Sequence, residues 1–162
     1  MNVLEEYRKY KKDLLDATQG ILETAIADLM KKNVSESVET NVYDKYQSTA
    51  KVPYIRRGDD GGLSDEDCYF TSTEQGHNEV TLRLDNLAYG NRRYASWGDN
   101  PSEGFDAGKI TNIIESGRGY HWRNSKIYKS MPYPRPFMEH ALHRTATEAE
   151  PILIRALKNA GF

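Results

Sequence analysis

Apolar residues at helical spacing mark both ends of this 162-residue chain. Residues 3–32 place apolar side chains every third or fourth position with charged residues between them, which predicts one amphipathic helix. Asn33 and Ser35 predict its end. Residues 137–160 repeat the helical pattern, and Pro151 predicts a kink or a division into two segments. A long helix of this kind packs on its own sheet or overhangs onto a neighbouring subunit, and both arrangements are considered.

Alternation of apolar and polar residues predicts strands between the two helices. Residues 38–42 alternate, residues 79–89 alternate more clearly, and a short strand is predicted near 68–73. Residues 109–115 are interpreted as a strand or a short helical turn. One buried and one solvated face is typical of an antiparallel sheet. The predicted fold class is therefore α+β: a long N-terminal helix, an antiparallel β-sheet with long loops, and a C-terminal helix packed on the sheet.

Two segments lack regular periodicity over most of their length. Residues 47–79 predict a long polar loop, and residues 116–134 predict a loop rich in basic and aromatic side chains. The Asp and Glu residues within 59–67 lack the spacing of a calcium-binding loop, which favours a solvated loop over a metal site. All of these segments are assigned to a single domain, 1–162.

Composition narrows the class of protein without naming a function. The chain is polar, with 38% hydrophobic residues and a formal net charge of -2. Its single cysteine, Cys68, excludes an internal disulfide framework and a cysteine-rich zinc site. Tyrosine is frequent, with 11 Tyr against 4 Phe, and tyrosine is enriched at interfaces. The absence of a signal peptide and of an apolar run of about 18 residues predicts no membrane association.

No set of residues in the sequence has the spacing of a known catalytic site. His140 and His143 are three residues apart, whereas the zinc-binding helix motif spaces its histidines by four. A nuclease interpretation would combine His121 with Asp85 and Glu115, but nothing in the sequence fixes their geometry. Phosphate-binding glycine loops and the nucleophile elbow do not occur. We therefore expect neither enzymatic activity nor a cofactor.

The most distinctive chemistry lies between residues 116 and 138, which contain five Lys or Arg and no Asp or Glu. Cations alternate there with aromatic rings. This composition suits contacts to nucleic-acid phosphates, a protein interface, or a solvated surface, and these three interpretations remain open. The candidate contact residues are Arg118, His121, Trp122, Arg123, Lys126, Tyr128 and Lys129.

Three pieces of the chain resemble a known family. The first is the N-terminal helix leading into Val-Tyr-Asp-Lys-Tyr at 42–46, and the second is Tyr-Ile-Arg-Arg-Gly-Asp-Asp-Gly-Gly-Leu at 54–63. The third pairs Ile-Ile-Glu-Ser-Gly at 113–117 with Pro-Arg-Pro-Phe at 134–137, and it is the most specific. Together they resemble the tail-completion or head-to-tail joining proteins, which are small neck proteins of tailed double-stranded DNA phages.

This resemblance implies a non-enzymatic virion component. Such proteins are α+β subunits that form homo-oligomeric rings, typically hexameric, in the virion neck, after synthesis in the host cytoplasm. Their neighbours are the head connector or stopper protein and the tail tube or tail terminator protein, and double-stranded DNA passes through the ring. The resemblance also implies which residues anchor the fold around the basic segment: Glu115, Gly117, Arg135, Pro136 and Phe137.

Alternative functions also fit the sequence. The same family shape occurs at the tail terminator position, at the top of the tail tube. An alternative of another class is a nucleic-acid-binding or nuclease module, whose DNA binding would weaken steeply with salt. A regulatory or toxin-like small protein is a third.

Overall fold

The computed structural model describes residues 2–45, 62–88, 110–117 and 133–162. These residues form helices at both ends and a two-stranded antiparallel sheet between them, which confirms the predicted α+β class. The elements in chain order are α1 (Val3–Ile21), a π-helical turn (Leu22–Ile26), α2 (Ala27–Val38), a second π-helical turn (Glu39–Tyr43), a 3-10 turn (Glu66–Cys68), β1 (Tyr69–Gln75), β2 (Val80–Asn86), α3 (Ile110–Ser116) and α4 (Phe137–Asn159).

The N-terminal helix, 3–43, is longer than the predicted 3–32, because α1, α2 and the two π-helical turns follow one another without a break. It is about 60 Å long at roughly 1.5 Å per residue. A capping box starts it: the Asn2 side chain accepts a hydrogen bond from the Leu4 amide at 3.2 Å, and the Glu5 carboxylate accepts one from the Asn2 amide at 3.4 Å.

The prediction that Asn33 and Ser35 end this helix is wrong, because both side chains form hydrogen bonds with residues far along the chain. The Asn33 side-chain amide donates to the Thr145 hydroxyl at 3.1 Å and to the Glu148 carboxylate at 3.1 Å, both on α4. The Ser35 hydroxyl donates to a carbonyl oxygen at residue 64, at 3.0 Å. Such residues favour helix ends when they bond to nearby backbone, and here distant partners remove that tendency.

The strand predicted over 38–42 is also wrong, because this stretch belongs to the helix. Val34, Val38 and Val42 are all buried and lie four residues apart, which places them on one helical face. Alternation over only five residues fits both a strand and a helix. The position that decides between them is Val34, which extends the apolar spacing backwards at the helical period.

The predicted strands near 68–73 and 79–89 are confirmed as β1 and β2, paired from Tyr69 opposite Asn86 to Gln75 opposite Val80. Part of the predicted loop over 47–79 is therefore the first strand of a hairpin, while residues 46–61 lie outside the described residues. The inner face of the hairpin buries Tyr69 and Leu84. Burial raises the pKa of Tyr69, whose hydroxyl donates to a carbonyl oxygen at residue 63, at 2.7 Å.

Residues 110–116 form the helix α3, so the helical alternative for this stretch is correct and the strand is not. Thr111 and Ile114 are both buried, and their spacing of three residues puts them on one side of the helix. The Thr111 hydroxyl donates to the carbonyl oxygen of Asn86 at 2.9 Å, which ties α3 to the end of β2.

The C-terminal helix α4 is a single helix, and Pro151 lies inside it without dividing it. It packs mainly along α2, while its first turn contributes Phe137 and Ala141 to the core that also contains Tyr69 and Leu84. The N-terminal helix, the hairpin and the start of α4 thus share one hydrophobic core. That core fixes the position of the region where α3 ends and α4 begins.

Candidate assembly site at the junction of α3 and α4

The end of α3 and the start of α4 meet in a compact structure that we call the junction, comprising Glu115, Gly117, Arg135, Pro136 and Phe137. The residues between its two halves along the chain are the basic and aromatic segment. The backbone amide of Arg135 donates to the carbonyl oxygen of Ile114 at 3.0 Å. This bond joins the last turn of α3 directly to the residues that precede α4.

Gly117 allows the chain to leave α3 at this point. Its φ is +65°, in the left-handed region where a side chain is disfavoured. A Cβ atom at this position would lie 2.6 Å from the backbone nitrogen of Pro134 and 2.8 Å from the carbonyl carbon of Tyr133. Both the turn and the close approach of the two chain segments therefore require glycine.

Glu115 caps α4 from a different helix. Its carboxylate accepts hydrogen bonds from the amides of Met138 at 2.9 Å and Glu139 at 3.1 Å, in the first turn of α4. A helix begins with amides that have no partner within the helix and with a partial positive charge, so a carboxylate there is stabilising. The cap usually supplied by the residue before a helix comes here from a residue more than twenty positions earlier.

Phe137 fixes the junction to the body of the protein. Its side chain is 0% exposed and is among the largest that are fully buried. The hydroxyl of Ser37, on α2, donates to the Phe137 carbonyl oxygen at 2.8 Å. Pro136 precedes this residue with φ -76° and restricts the backbone at the helix start. The start of α4 is thereby held by a side chain in the core and by a buried hydrogen bond.

The predicted contact residues Arg118, His121, Trp122, Arg123, Lys126, Tyr128 and Lys129 lie outside the described residues. The described residues on either side of them lie close together, because Gly117 lies against Tyr133 and Pro134. Next to the junction is an open cleft of about 260 Å³, lined by Asn41, Lys45, Tyr133, Pro134, Arg135 and Pro136.

The histidines considered as metal ligands lie elsewhere on α4. His140 and His143 are exposed and line an open groove of about 610 Å³ between α2 and α4, together with Glu36 and Arg144. Arg144 forms ion pairs with Glu36 and with Glu148, and its guanidinium lowers the pKa of the Glu148 carboxyl. Within the described ranges, no three His, Cys, Asp or Glu side chains are placed to share a metal ion.

The start of α1 is a second candidate surface for assembly. Val3, Leu4, Tyr7 and Tyr10 are large apolar side chains that remain exposed. No residue of α1 is buried, whereas α2 contributes several residues to the core. Of the helices in the described part of the chain, none is long and apolar enough to cross a membrane.

Sequence reasoning missed two residues that build the junction and its support. Ser37 bonds the start of α4, and Asn33 bonds the middle of α4, but both were interpreted as lying at or beyond a helix end. The apolar positions spaced by four on either side of them are the signal that could have placed them inside a helix.

The fold and the junction define a small α+β protein in which one long helix packs against the start of α4. The chain belongs to the YomN family, whose model matches residues 6–160. The family bears the name of a gene from a Bacillus phage of the SPbeta type, and that name suggests a phage-associated protein. No curated protein and no solved structure matches the chain.

Proposed function

We propose that this protein is a non-enzymatic structural subunit of the phage neck, which joins the DNA-filled head to the tail as part of a ring around the DNA channel. The phage-associated family and the resemblance of the paired segments 113–117 and 134–137 to neck proteins support this role. In this proposal the basic segment makes assembly contacts, and the junction holds it in place.

The observation that carries the proposal is the way in which the junction closes the base of the basic segment. The contacts that close it are a backbone hydrogen bond, the Glu115 cap and the packing of Gly117 against Pro134. These contacts are made by residues that flank the segment in the chain. In this proposal the segment presents its cations and aromatic rings to another molecule.

The charge of the segment suits the surroundings of a neck ring. The chain as a whole carries a formal net charge of -2, while the segment from 116 to 138 contains no Asp or Glu. Cations in the lumen of a ring would face the phosphates of passing DNA, and aromatic residues and Arg are enriched where proteins bind one another.

A deletion of residues 119–130 tests the proposal in the phage. The remaining residues can connect Gly117 to Tyr133 because these positions are adjacent. We expect the variant to melt at nearly the wild-type temperature by circular dichroism, and to leave full heads and free tails unjoined in electron micrographs. A matched control replaces the same residues with a Gly-Ser linker of equal length, which keeps the spacing but removes the side chains.

Two results would contradict this interpretation. If the deletion unfolds the subunit, the segment is part of the core. If the deleted protein folds and heads join tails normally, the segment makes no essential assembly contact and the neck role fails.

DNA binding by the isolated subunit is the second candidate, and the concentration of cations in the segment favours it. It predicts binding to duplex DNA that weakens steeply as salt rises, since Lys and Arg displace counterions from phosphates. The triple variant Arg118→Ala, Arg123→Ala and Lys126→Ala should reduce the affinity and the salt dependence. The control Lys9→Ala and Lys12→Ala, on α1, should not. No measurable affinity at low salt would exclude this candidate.

A further inference from the structure

Polar side chains line the open groove of about 610 Å³ between α2 and α4. Its lining includes the buried Asn33 and Ser37 of α2. The π-helical turn Glu39–Tyr43 forms part of its wall through Glu39, Thr40 and Asn41. A π-helical turn within an α-helix is rare and occurs frequently at functional sites.

The side chain of Asn33 is the observation that points to a ligand. It is 1% exposed, and its oxygen Oδ1 accepts no hydrogen bond from the described residues. The amide nitrogen of the same group donates to Thr145 and Glu148, neither of which lines the groove, so Oδ1 lies on the side of the groove. A buried carbonyl oxygen without a donor is unfavourable, and a ligand that brings an N–H group removes this penalty.

The charges of the groove favour a ligand that is also a cation. Arg144 forms ion pairs with Glu36 and Glu148, and the Lys32 ammonium lies 3.8 Å from the Glu36 carboxylate. Among the described cations, none forms an ion pair with the exposed Glu39. The side chains of Arg and Lys supply both N–H donors and positive charge, and their hydrogen bonds to oxygen acceptors are strong.

We infer that the groove binds the basic segment, residues 118–132, of a second copy of this chain, through side chains that reach Asn33 and Glu39. The segment contains four Lys or Arg and no Asp or Glu, so its charge is complementary to the groove. Its cations at positions 123, 126 and 129 recur at every third residue. A chain bound in the polyproline II conformation has three residues per turn, which places such side chains on one side about 9 Å apart. Asn33 and Glu39 are also about 9 Å apart along their helix.

The position of the groove suits a contact between neighbouring copies. Asn41 lines the groove and also the cleft next to the junction, so the groove lies near the residues that flank the basic segment in the chain. A ring built from identical subunits needs two different surfaces that fit each other on neighbouring copies. The inference rests on the proposed function, because it names the surface that the basic segment contacts in the ring.

Cysteine cross-linking between two full-length proteins tests this contact. In a Cys68→Ser background, Thr40→Cys places a thiol in the groove of one protein, and Ser125→Cys places one in the basic segment of the other without removing a cation. With a short bismaleimide reagent, we expect this mixture to give a covalent heterodimer. Lys12→Cys, about 40 Å from Thr40 along the same helix, replaces Thr40→Cys as the control and should give little.

Two outcomes of the cross-linking would overturn the inference. Equal linking of Ser125→Cys to Thr40→Cys and to Lys12→Cys would show that the segment does not select the groove. One chain that carries both Thr40→Cys and Ser125→Cys shows whether the segment binds its own groove. A link within that chain, without any link in the mixture of single variants, would overturn the contact between copies.

Binding of a peptide gives an independent readout. The probe is a fluorescent synthetic peptide of residues 118–130, and the receptor is the full chain with its own residues 119–130 replaced by a Gly-Ser linker. We expect saturable binding in fluorescence anisotropy. Glu39→Lys in the receptor should weaken it at least about three-fold. Glu6→Lys, an equal charge reversal at an exposed position of α1, should leave it unchanged.

The role of the buried acceptor is tested by Asn33→Leu, which should weaken peptide binding at least about tenfold. This variant also loses hydrogen bonds to α4, so its melting temperature is measured with its affinity. Glu39 is exposed, and its variant keeps the test independent of folding. Absence of saturable binding, or equal affinity of the Glu39→Lys and Glu6→Lys receptors, would overturn the inference.

The groove and the neck role can fail separately. Peptide binding that Glu39→Lys weakens, together with normal head-to-tail joining by the 119–130 deletion, would contradict the proposed function and leave the groove site standing. Loss of joining by that deletion, together with normal joining by Glu39→Lys and no peptide binding, would support the neck role and overturn the groove contact.

Discussion

The two ends of the N-terminal helix carry the same apolar pattern in opposite surroundings. At its far end, Val34, Val38 and Val42 are buried against α4 and the hairpin. At its beginning, Val3 and Tyr7 repeat at a comparable spacing but are exposed. The difference lies in what the rest of the fold places beside each end. An apolar stripe predicts that a helix packs, and only the tertiary structure tells whether its partner belongs to the same chain.

Replacing Phe137, which packs in the core with the buried end of the N-terminal helix, should have the largest effect on stability. Phe137→Ala removes a side chain that is 0% exposed and leaves a cavity beside α2, which should lower the free energy of unfolding by about 3–5 kcal/mol. Chemical denaturation measures this loss. The exposed Tyr133→Ala, four residues earlier, is the control and should change stability by less than about 0.5 kcal/mol. Equal effects would mean that Phe137 does not close the core.

A substitution of Gly117 tests the junction between α3 and α4. Gly117→Ala introduces a Cβ atom 2.6 Å from the backbone of Pro134 at a positive φ, and should cost about 2–3 kcal/mol in thermal or chemical unfolding. Gly20→Ala is the matched control, since nothing lies within 4 Å of its Cβ position in the helix. It should stabilise the protein by about 0.5–1 kcal/mol. A neutral Gly117→Ala would contradict the close approach of the two segments.

The same substitution at both ends of the helix compares them directly. Val38→Ala removes buried methyl groups and should cost about 2 kcal/mol, whereas Val3→Ala should stay within about 0.5 kcal/mol in a dilute solution of the monomer. Denaturation of both variants at one low concentration is the measurement. Raising the concentration should leave the difference for Val38→Ala unchanged. In the proposed ring, where the exposed start of α1 is a candidate contact surface, it should increase the cost of Val3→Ala.

Removing the Glu115 carboxylate that caps α4 should lower the stability by a smaller amount. Glu115→Ala removes the carboxylate that accepts hydrogen bonds from Met138 and Glu139 and should cost about 1 kcal/mol. Glu115→Gln keeps an oxygen acceptor without the charge and should retain part of the stability. If both variants are as stable as wild type, the start of α4 is held by Phe137 and Ser37 without need of the cap.

The ion pair between Arg144 and Glu148 within α4 should appear in the pH dependence of stability. Arg144, and next Asn33, hold the pKa of Glu148 below its ordinary value of 4.5. The stability that this carboxylate contributes is therefore present above pH 4.5 and is lost as the pH falls through the lowered pKa. Between pH 7 and pH 3, the free energy of unfolding of Glu148→Gln should fall less steeply than that of the wild-type protein. An unchanged slope would show that the pair does not contribute.

Local periodicity predicted the elements that are stabilised by nearby residues along the chain. The hairpin strands and the two terminal helices each contain enough repeats to distinguish a period of two from a period of 3.6. The junction residues could be named from a resemblance, but their contacts could not be predicted. Glu115 caps a helix that begins far along the chain, and no local pattern records such a bond.

The errors have the same physical origin. Asn33 and Ser37 are residues that favour helix ends, and they lie within a helix because Thr145 and the Phe137 carbonyl oxygen supply distant partners. The short α3 offers too few residues for its period to be decided. The exposure of Val3 and Tyr7 could not be predicted, because an apolar stripe looks the same in sequence whether or not the chain covers it.

Hydrogen–deuterium exchange on the full chain, measured on monomer and on oligomer separated by size, tests most directly whether the exposed end of the N-terminal helix is covered by another copy. In the monomer, amides of residues 4–14 should exchange rapidly and those of residues 30–42 slowly, since only the second group lies in the core. In the oligomer, residues 4–14 should exchange at least about tenfold more slowly, as expected when about 1.4 kcal/mol or more is added to their protection, while residues 30–42 stay unchanged. Equal exchange of residues 4–14 in both forms would contradict the account.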